Sequence, residues 1–280
     1  MQSLTLGYST CPNDTFAFHA LAHRRVAEQG LSFAITLADV ERLNQWAAEG
    51  RLDITKLSFA AVGHLLAHYA LIDSGGAMGR GCGPLIVARP GSDLARLRQG
   101  RILTPGQFTT AHLLLGLYLG RRPRQAATVT FDRIMPAVAE GRADFGVIIH
   151  EGRFTYGDYG LIELLDLGAW WEEATGLPIP LGGIAVHRRV AAETAGAVEQ
   201  LVRRSVEYAW AHPSDSSDYV RRHAQEMAPD VVRRHIDLYV NPFSQRYGRE
   251  GRKAIRTLLD HAREVGLTPN EDLPLFVGED

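Results

Sequence analysis

His150 stands at the end of an apolar run, Phe145-Gly146-Val147-Ile148-Ile149, and Glu151 follows it directly. An imidazole can take up a proton near neutral pH because its unperturbed pKa is about 6.5. A second run, Ile54-Thr55-Lys56-Leu57, ends on Ser58. Nearly the same segment precedes both runs: Ala48-Glu49-Gly50-Arg51-Leu52-Asp53 and Ala139-Glu140-Gly141-Arg142-Ala143-Asp144. A helix–turn–strand unit used twice predicts two similar α/β lobes, with Ser58 and His150 at corresponding strand ends. Ligands of open α/β sheets bind beyond the carboxyl ends of strands, so these two polar ends are candidates for one site. A third candidate is the start of the chain, where Ser9-Thr10-Cys11-Pro12-Asn13-Asp14 follows an alternating strand. Pro12 suits a first helical turn, and the free N–H groups of such a turn attract anions or polar ligands. Each feature also has a plainer reading: a histidine satisfied by a nearby backbone group, or an ordinary capped helix start.

The bulk properties narrow the chemistry. The chain has 280 residues, with 30 Lys and Arg against 32 Asp and Glu, a net charge of −2. Nothing in that balance favours nucleic acid or an anionic membrane. Paired arginines at 203–204, 221–222 and 233–234 fall on helix-like segments with acidic residues interspersed, and read as solvated faces. The two cysteines, Cys11 and Cys82, form neither a disulfide framework nor a zinc spacing. His64 and His68 are four apart but lack a His-Glu-x-x-His context, so no metal is expected. The segment 74–84 holds five glycines but no closing Gly-Lys-Ser/Thr, so it is no phosphate loop. The N-terminus reads as a strand without a basic, apolar leader, and no apolar run is long enough for a membrane span; a cytoplasmic protein is expected.

The positioning elements follow from periodicity. Alternating Leu4, Leu6 and Tyr8 predict a first strand, 31–37 a second, and Asp39 caps a helix through Val40, Leu43, Trp46 and Ala47. Strands are predicted at 53–58, 85–88, 101–103, 129–131, 145–149, 161–165 and 183–187, with 177–181 as loop or edge. Helices are predicted at 60–67, 111–119 and 132–140, then throughout the chain from Ala191 onward. The expected fold is therefore α/β and two-lobed, like the type II periplasmic binding proteins, with a cleft between the lobes. Residues 1–91 and 186–280 would form the larger lobe and 92–185 an inserted smaller one.

Several longer strings resemble one family, the 1,4-dihydroxy-6-naphthoate synthases of the futalosine route to menaquinone. They are Ser9-Thr10-Cys11-Pro12-Asn13-Asp14-Thr15-Phe16, Thr55-Lys56-Leu57-Ser58, the glycine run 75–83 and Thr104-Pro105-Gly106 with Thr109-Thr110-Ala111. To these are added Ile148-Ile149-His150-Glu151, Arg153-Phe154-Thr155-Tyr156, Asp166-Leu167-Gly168-Ala169-Trp170-Trp171-Glu172 and Tyr239-Val240-Asn241-Pro242-Phe243-Ser244. The resemblance covers nearly the whole chain.

It implies a carbon–carbon lyase acting on cyclic dehypoxanthine futalosine without metal or organic cofactor, with His150 as the base. The substrate would be a small aromatic carboxylate, held by Ser58, Thr110 and the backbone N–H of Ala111, with Asn44 facing the cleft. Asp14, Lys56, Arg80, Glu151 and Arg153 are cleft or supporting charges without an assigned role. A monomer or homodimer is expected. Two alternatives stay open: a solute-binding protein without catalysis, and the related chorismate dehydratase.

Overall fold

The computed structural model describes residues 2–27, 30–224 and 228–279. Among the described residues the strands run in chain order: β1 Gln2–Tyr8, β2 Leu31–Leu37, β3 Ile54–Ser58, β4 Tyr69–Leu71, β5 Ala77–Gly79, β6 Leu85–Ala88, β7 Ile102–Thr104, β8 Ala126–Thr128, β9 Phe145–Ile148, β10 Ile162–Asp166 and β11 Ile179–His187. The helices are α1 Pro12–Ala22, α2 Val40–Ala48, α3 Phe59–Leu65, α4 Thr110–Leu119, α5 Ile134–Ala139, α6 Gly152–Thr155, α7 Leu167–Thr175, α8 Ala192–Ala211, α9 Ser217–His223, α10 Pro229–Tyr239, α11 Pro242–Gln245 and α12 Gly248–Glu264.

The strands form two sheets built on one plan. The first runs β2-β1-β3-β11-β4, with β5 also paired to β11; the second runs β8-β7-β9-β6-β10. In each, three parallel strands are followed by an antiparallel one: β2, β1, β3 and then β11, or β8, β7, β9 and then β6. Thus β1 corresponds to β7 and β3 to β9, and the repeated segment precedes β3 and β9.

The repeat has the same physical task both times. Gly50 and Gly141 have φ of 68° and 77°, a left-handed conformation that glycine adopts without a Cβ clash. Their N–H groups donate to Ala47 O and Val138 O, and those of Arg51 and Arg142 to Trp46 O and Ala137 O, closing the helix ends. The aspartate then pins the next strand. Asp53 Oδ2 accepts Thr5 N–H of β1 at 2.9 Å, and Asp144 Oδ2 accepts Arg101 N–H ahead of β7 at 2.8 Å.

The sheets exchange chain earlier than expected on both crossings. β6 already lies in the second sheet, and the whole of residues 179–187 forms one strand of the first. The prolines at 178 and 180 do not break that strand: Pro180 sits beside a register shift in the pairing of β11 with β5. The predicted strand at 129–131 is displaced, with β8 ending at Thr128 and a short 3₁₀ turn at Phe131–Arg133. The helices predicted from Ala191 onward are present, and Val198, Leu201, Val202, Ser205, Val206 and Ala209 form the buried stripe of α8. One apolar core is continuous across the lobes: Leu113, Leu114 and Leu115 of α4 belong to the same cluster as Ile255, Leu258 and Leu259 of α12. The cleft therefore opens on one side of a shared core.

Candidate active site

The cavity lies between the carboxyl ends of the two sheets and has a volume of about 80 Å³. Its lining includes Ser9, Asn13, Asp14, Lys56 and Ser58 from the first lobe, and Thr109, Thr110, Ala111, Ile149 and His150 from the second. Lys56 and Ser58 lie on β3, and the others follow β1, β7 and β9, parallel strands of the two sheets.

The floor on the first lobe is a buried polar network. Lys56 Nζ lies 2.7 Å from Asp14 Oδ1, and both side chains are nearly inaccessible. Asp14 also accepts Ser9 N–H at 3.2 Å and Ser9 O–H at 2.7 Å on Oδ2, and Asn13 Nδ2 at 2.9 Å on Oδ1. A buried charge pair of this kind is tolerated because hydrogen bonds saturate the remaining lone pairs. Asn44, from α2, uses both ends of its amide on Ser58: Oδ1 accepts Ser58 N–H at 3.0 Å and Nδ2 donates to Ser58 Oγ at 3.1 Å. Ser58 Oγ thus serves as acceptor to Asn44, and its own proton is available for a further partner.

His150 lies just beyond β9, and its φ is 56°. A non-glycine residue in the left-handed region is uncommon and costs roughly 1–3 kcal/mol, which the surrounding contacts must offset. The turn ends the strand and breaks its alternation, so His150 lines the cavity directly after Ile149, which lines it too. Cys11 Sγ, at the cap of α1 in the other lobe, lies 3.5 Å from His150 Nδ1 and 3.6 Å from Nε2. Burial, and then the Glu151 carboxylate, push the Cys11 thiol well above its ordinary range. Burial thus favours the S–H form beside the imidazole. Phe131 meets the His150 ring edge-on at 5.1 Å, and His235 of α10 stacks with it at 6.1 Å.

Helix α4 begins at the cavity. Thr109 caps it by accepting His112 N–H at 3.2 Å, and the N–H groups of Thr110 and Ala111 have no acceptor among the described residues. The hydroxyl of Thr110 donates to Leu181 O at 2.6 Å, so its proton is already engaged. The loop before α4 is held by the first lobe. Glu41 accepts Phe108 N–H at 3.2 and 3.3 Å, and Asn44 Nδ2 lies 3.4 Å from Phe108 O. Burial raises the Glu41 carboxyl above its usual range, with the bonds from Phe108 and Asn44 working against that rise. A Cβ on Gly106 would fall 2.4 Å from Glu41 Cδ, so only glycine permits this approach.

Comparison with known proteins gives the site its context. The family model described as menaquinone biosynthesis matches residues 4–264. The chain belongs to the menaquinone-biosynthesis family. It is 50% identical to the 1,4-dihydroxy-6-naphthoate synthase of Thermus thermophilus, covering 99% of this chain and all of that one. It is 44% identical to the enzyme of the same name from Streptomyces coelicolor, over 95% of each chain. Among solved structures, a protein from Archaeoglobus fulgidus superposes with a TM-score of 0.88 at 31% identity, over 95% of this chain and 98% of that one. The alkanesulfonate-binding protein of Xanthomonas axonopodis superposes at 0.72 with 17% identity, over 96% of this chain and 95% of that one, which shows the periplasmic-binding-protein fold.

In this member of the menaquinone-biosynthesis family, His150, Ser58, Thr110 and Ala111 converge on one cavity, with Asn44 directly behind Ser58. Of the unassigned charges, Lys56 and Asp14 line that cavity. Arg80 does not: it is exposed on the first crossing segment and donates to Gly176 O on the second, fastening the two crossings together. Arg153 donates to Gly83 O at 2.7 Å and pairs with Asp166 at 2.5 Å, bracing the loop that carries His150. Glu151 follows His150 in the chain and is half-buried. Glu41 and His235 are absent from the expected site, whereas Cys11 belongs to the helix start that the sequence marks as a candidate. For His235 a signal existed: it lies four residues from both Val231 and Tyr239, with which it shares the buried face of α10. Among the described residues no three His, Cys, Asp or Glu side chains are grouped to hold a metal, and no helix is long and apolar enough to cross a membrane.

Proposed function

We propose that the protein is a cytoplasmic 1,4-dihydroxy-6-naphthoate synthase, a carbon–carbon lyase that takes cyclic dehypoxanthine futalosine, with His150 as the general base. The observation that carries this reading is His150 in a left-handed conformation on the wall of the interlobe cavity. Backbone strain of this kind persists where the surroundings over-determine it, and it concentrates at active sites. The two relatives named as synthases, nearly co-extensive with this chain, support the choice of reaction.

The other lining groups fit an aromatic carboxylate. The unpaired N–H groups of Thr110 and Ala111 sit at the positive end of α4, and the Ser58 hydroxyl retains a proton to donate. They would hold the carboxylate while the remaining apolar lining, including Val40, Ala77 and Leu181, takes the ring. His150 would then remove a proton as the sugar-derived fragment leaves and the second aromatic ring forms.

Incubation with cyclic dehypoxanthine futalosine, followed by chromatography, tests the reading. Formation of 1,4-dihydroxy-6-naphthoate is expected, and His150→Ala should lower turnover by at least about a hundredfold with the fold retained. Near-native turnover in that variant would remove His150 as base. Turnover of chorismate instead would identify the dehydratase, and tight binding without product a solute-binding protein.

A further inference from the structure

His235 is a buried imidazole that the proposed mechanism does not use, and its hydrogen bonds determine its tautomer. Asp14 can only accept, since Lys56 Nζ, Ser9 N–H and Ser9 O–H already donate to it. Asn13 must therefore turn its Nδ2 toward Asp14, at 2.9 Å. That leaves Asn13 Oδ1 facing His235 Nε2, also at 2.9 Å, and an oxygen there requires the proton to be on Nε2. The other nitrogen, Nδ1, is buried and has no hydrogen-bond partner among the described residues. A second proton on Nδ1 would have no acceptor, so the ring stays uncharged. Burial, and then the charge of His150, also hold its pKa well below the ordinary histidine value.

This uncharged ring stacks with His150 at 6.1 Å between centroids and 25° between planes. The two histidines come from opposite lobes: His150 follows β9, and His235 sits on α10 against α1. We propose that His235 is a positioning residue for His150, an Nε2–H imidazole that receives the His150 ring across the cleft and stabilises it once it has taken a proton. The proposal rests on His150 acting as the base. A neutral aromatic face stabilises a neighbouring cation, whereas a protonated His235 would repel it. The Lys56–Asp14–Asn13 chain therefore has a purpose beyond packing: it keeps the second imidazole in its uncharged form. The other titratable groups facing the pair are Cys11 and Asp14 of α1, Glu151 beside His150, and Tyr239, whose ring lies 4.6 Å from His235 on the same helix.

The test has one arm that needs no turnover. Long-range ¹H–¹⁵N spectra of the whole protein, labelled at histidine nitrogens, report tautomer and titration ring by ring. His235 is expected as Nε2–H with a bare Nδ1 throughout pH 5–8, the range in which free imidazole titrates. A Nδ1–H tautomer, or a titration inside that range, overturns the proposal whatever the substrate proves to be. In the second arm, His235→Ala should cut kcat about tenfold, with KM changed by less than about threefold. His235→Phe, which keeps an aromatic face and guards against a merely unfolded Ala variant, should restore kcat to within about threefold of native. Native kcat in folded His235→Ala refutes the role. Loss of KM rather than kcat refutes it too. If His150→Ala retains turnover, the base assignment fails, while the spectra still decide the tautomer.

Discussion

Lys56→Met is the perturbation whose size the structure constrains best. Methionine matches the length of the lysine stem, so no large cavity is created, and the change isolates the ammonium. Lys56 Nζ lies 2.7 Å from Asp14 Oδ1, and the two side chains are 6% and 3% exposed. Removing one member of a buried pair costs about 3–5 kcal/mol, because the other charge is left without a partner. Here Asp14 keeps three donors, Ser9 N–H, Ser9 O–H and Asn13 Nδ2. The loss should therefore fall at the lower end, about 3 kcal/mol. Equilibrium unfolding in urea, followed by circular dichroism, measures it as a lower midpoint at unchanged slope. The double variant Lys56→Met/Asp14→Leu should recover part of the loss, since no buried charge then remains. A Lys56→Met protein within about 0.5 kcal/mol of native would refute the argument, because it would mean that Asp14 is satisfied without the ammonium.

Three further perturbations follow from the site and the repeat. Ser58→Ala removes a donor that the mechanism uses only for anchoring, so steady-state kinetics should show KM raised about tenfold with kcat nearly unchanged; a fall confined to kcat would contradict that role. Gly106→Ala places a methyl group against Glu41 and should separate the Phe108 loop from the first lobe, raising KM by about tenfold while the melting temperature changes little. The side-chain and backbone bonds from Arg101 hold the Asp144 carboxyl below its usual range. The stability this contributes is present above the unfolded pKa of about 4 and is lost as pH falls through the folded value. Asp144→Asn should thus melt lower than native at pH 7 and converge with it near about pH 2; a constant difference across that range would assign the loss to geometry instead of charge.

Much of this arrangement is legible along the chain because it is local. The repeated Ala-Glu-Gly-Arg-x-Asp segment marks two helix ends, and its glycine, arginine and aspartate make equivalent backbone bonds both times. That equivalence follows from short-range geometry, which six residues can specify. The helix stripes and the cap at Asp39 are legible for the same reason. Where single prolines and glycines dominate the local signal, the reading is less secure. Residues 177–181 look like loop or edge, yet most of them belong to a nine-residue strand, because pairing with β3 and β5 outweighs local propensity.

The site divides in the same way. The candidates Ser58, Thr110, Ala111 and His150 all end strands or begin helices, positions that periodicity alone can locate, and the family strings single them out. By itself the sequence determined two α/β lobes, the strand ends at which a ligand would sit, and an imidazole at one of them. Only the tertiary structure decided what surrounds that imidazole. Cys11, Glu41 and His235 reach the site from helices distant along the chain, and Lys56 meets Asp14 across the floor of one sheet. No local pattern encodes those meetings, since they depend on how two sheets and a shared core are packed. The left-handed turn at His150 belongs with them: an isolated chain disfavours it, and the folded protein holds it because contacts from both lobes leave the ring no better place.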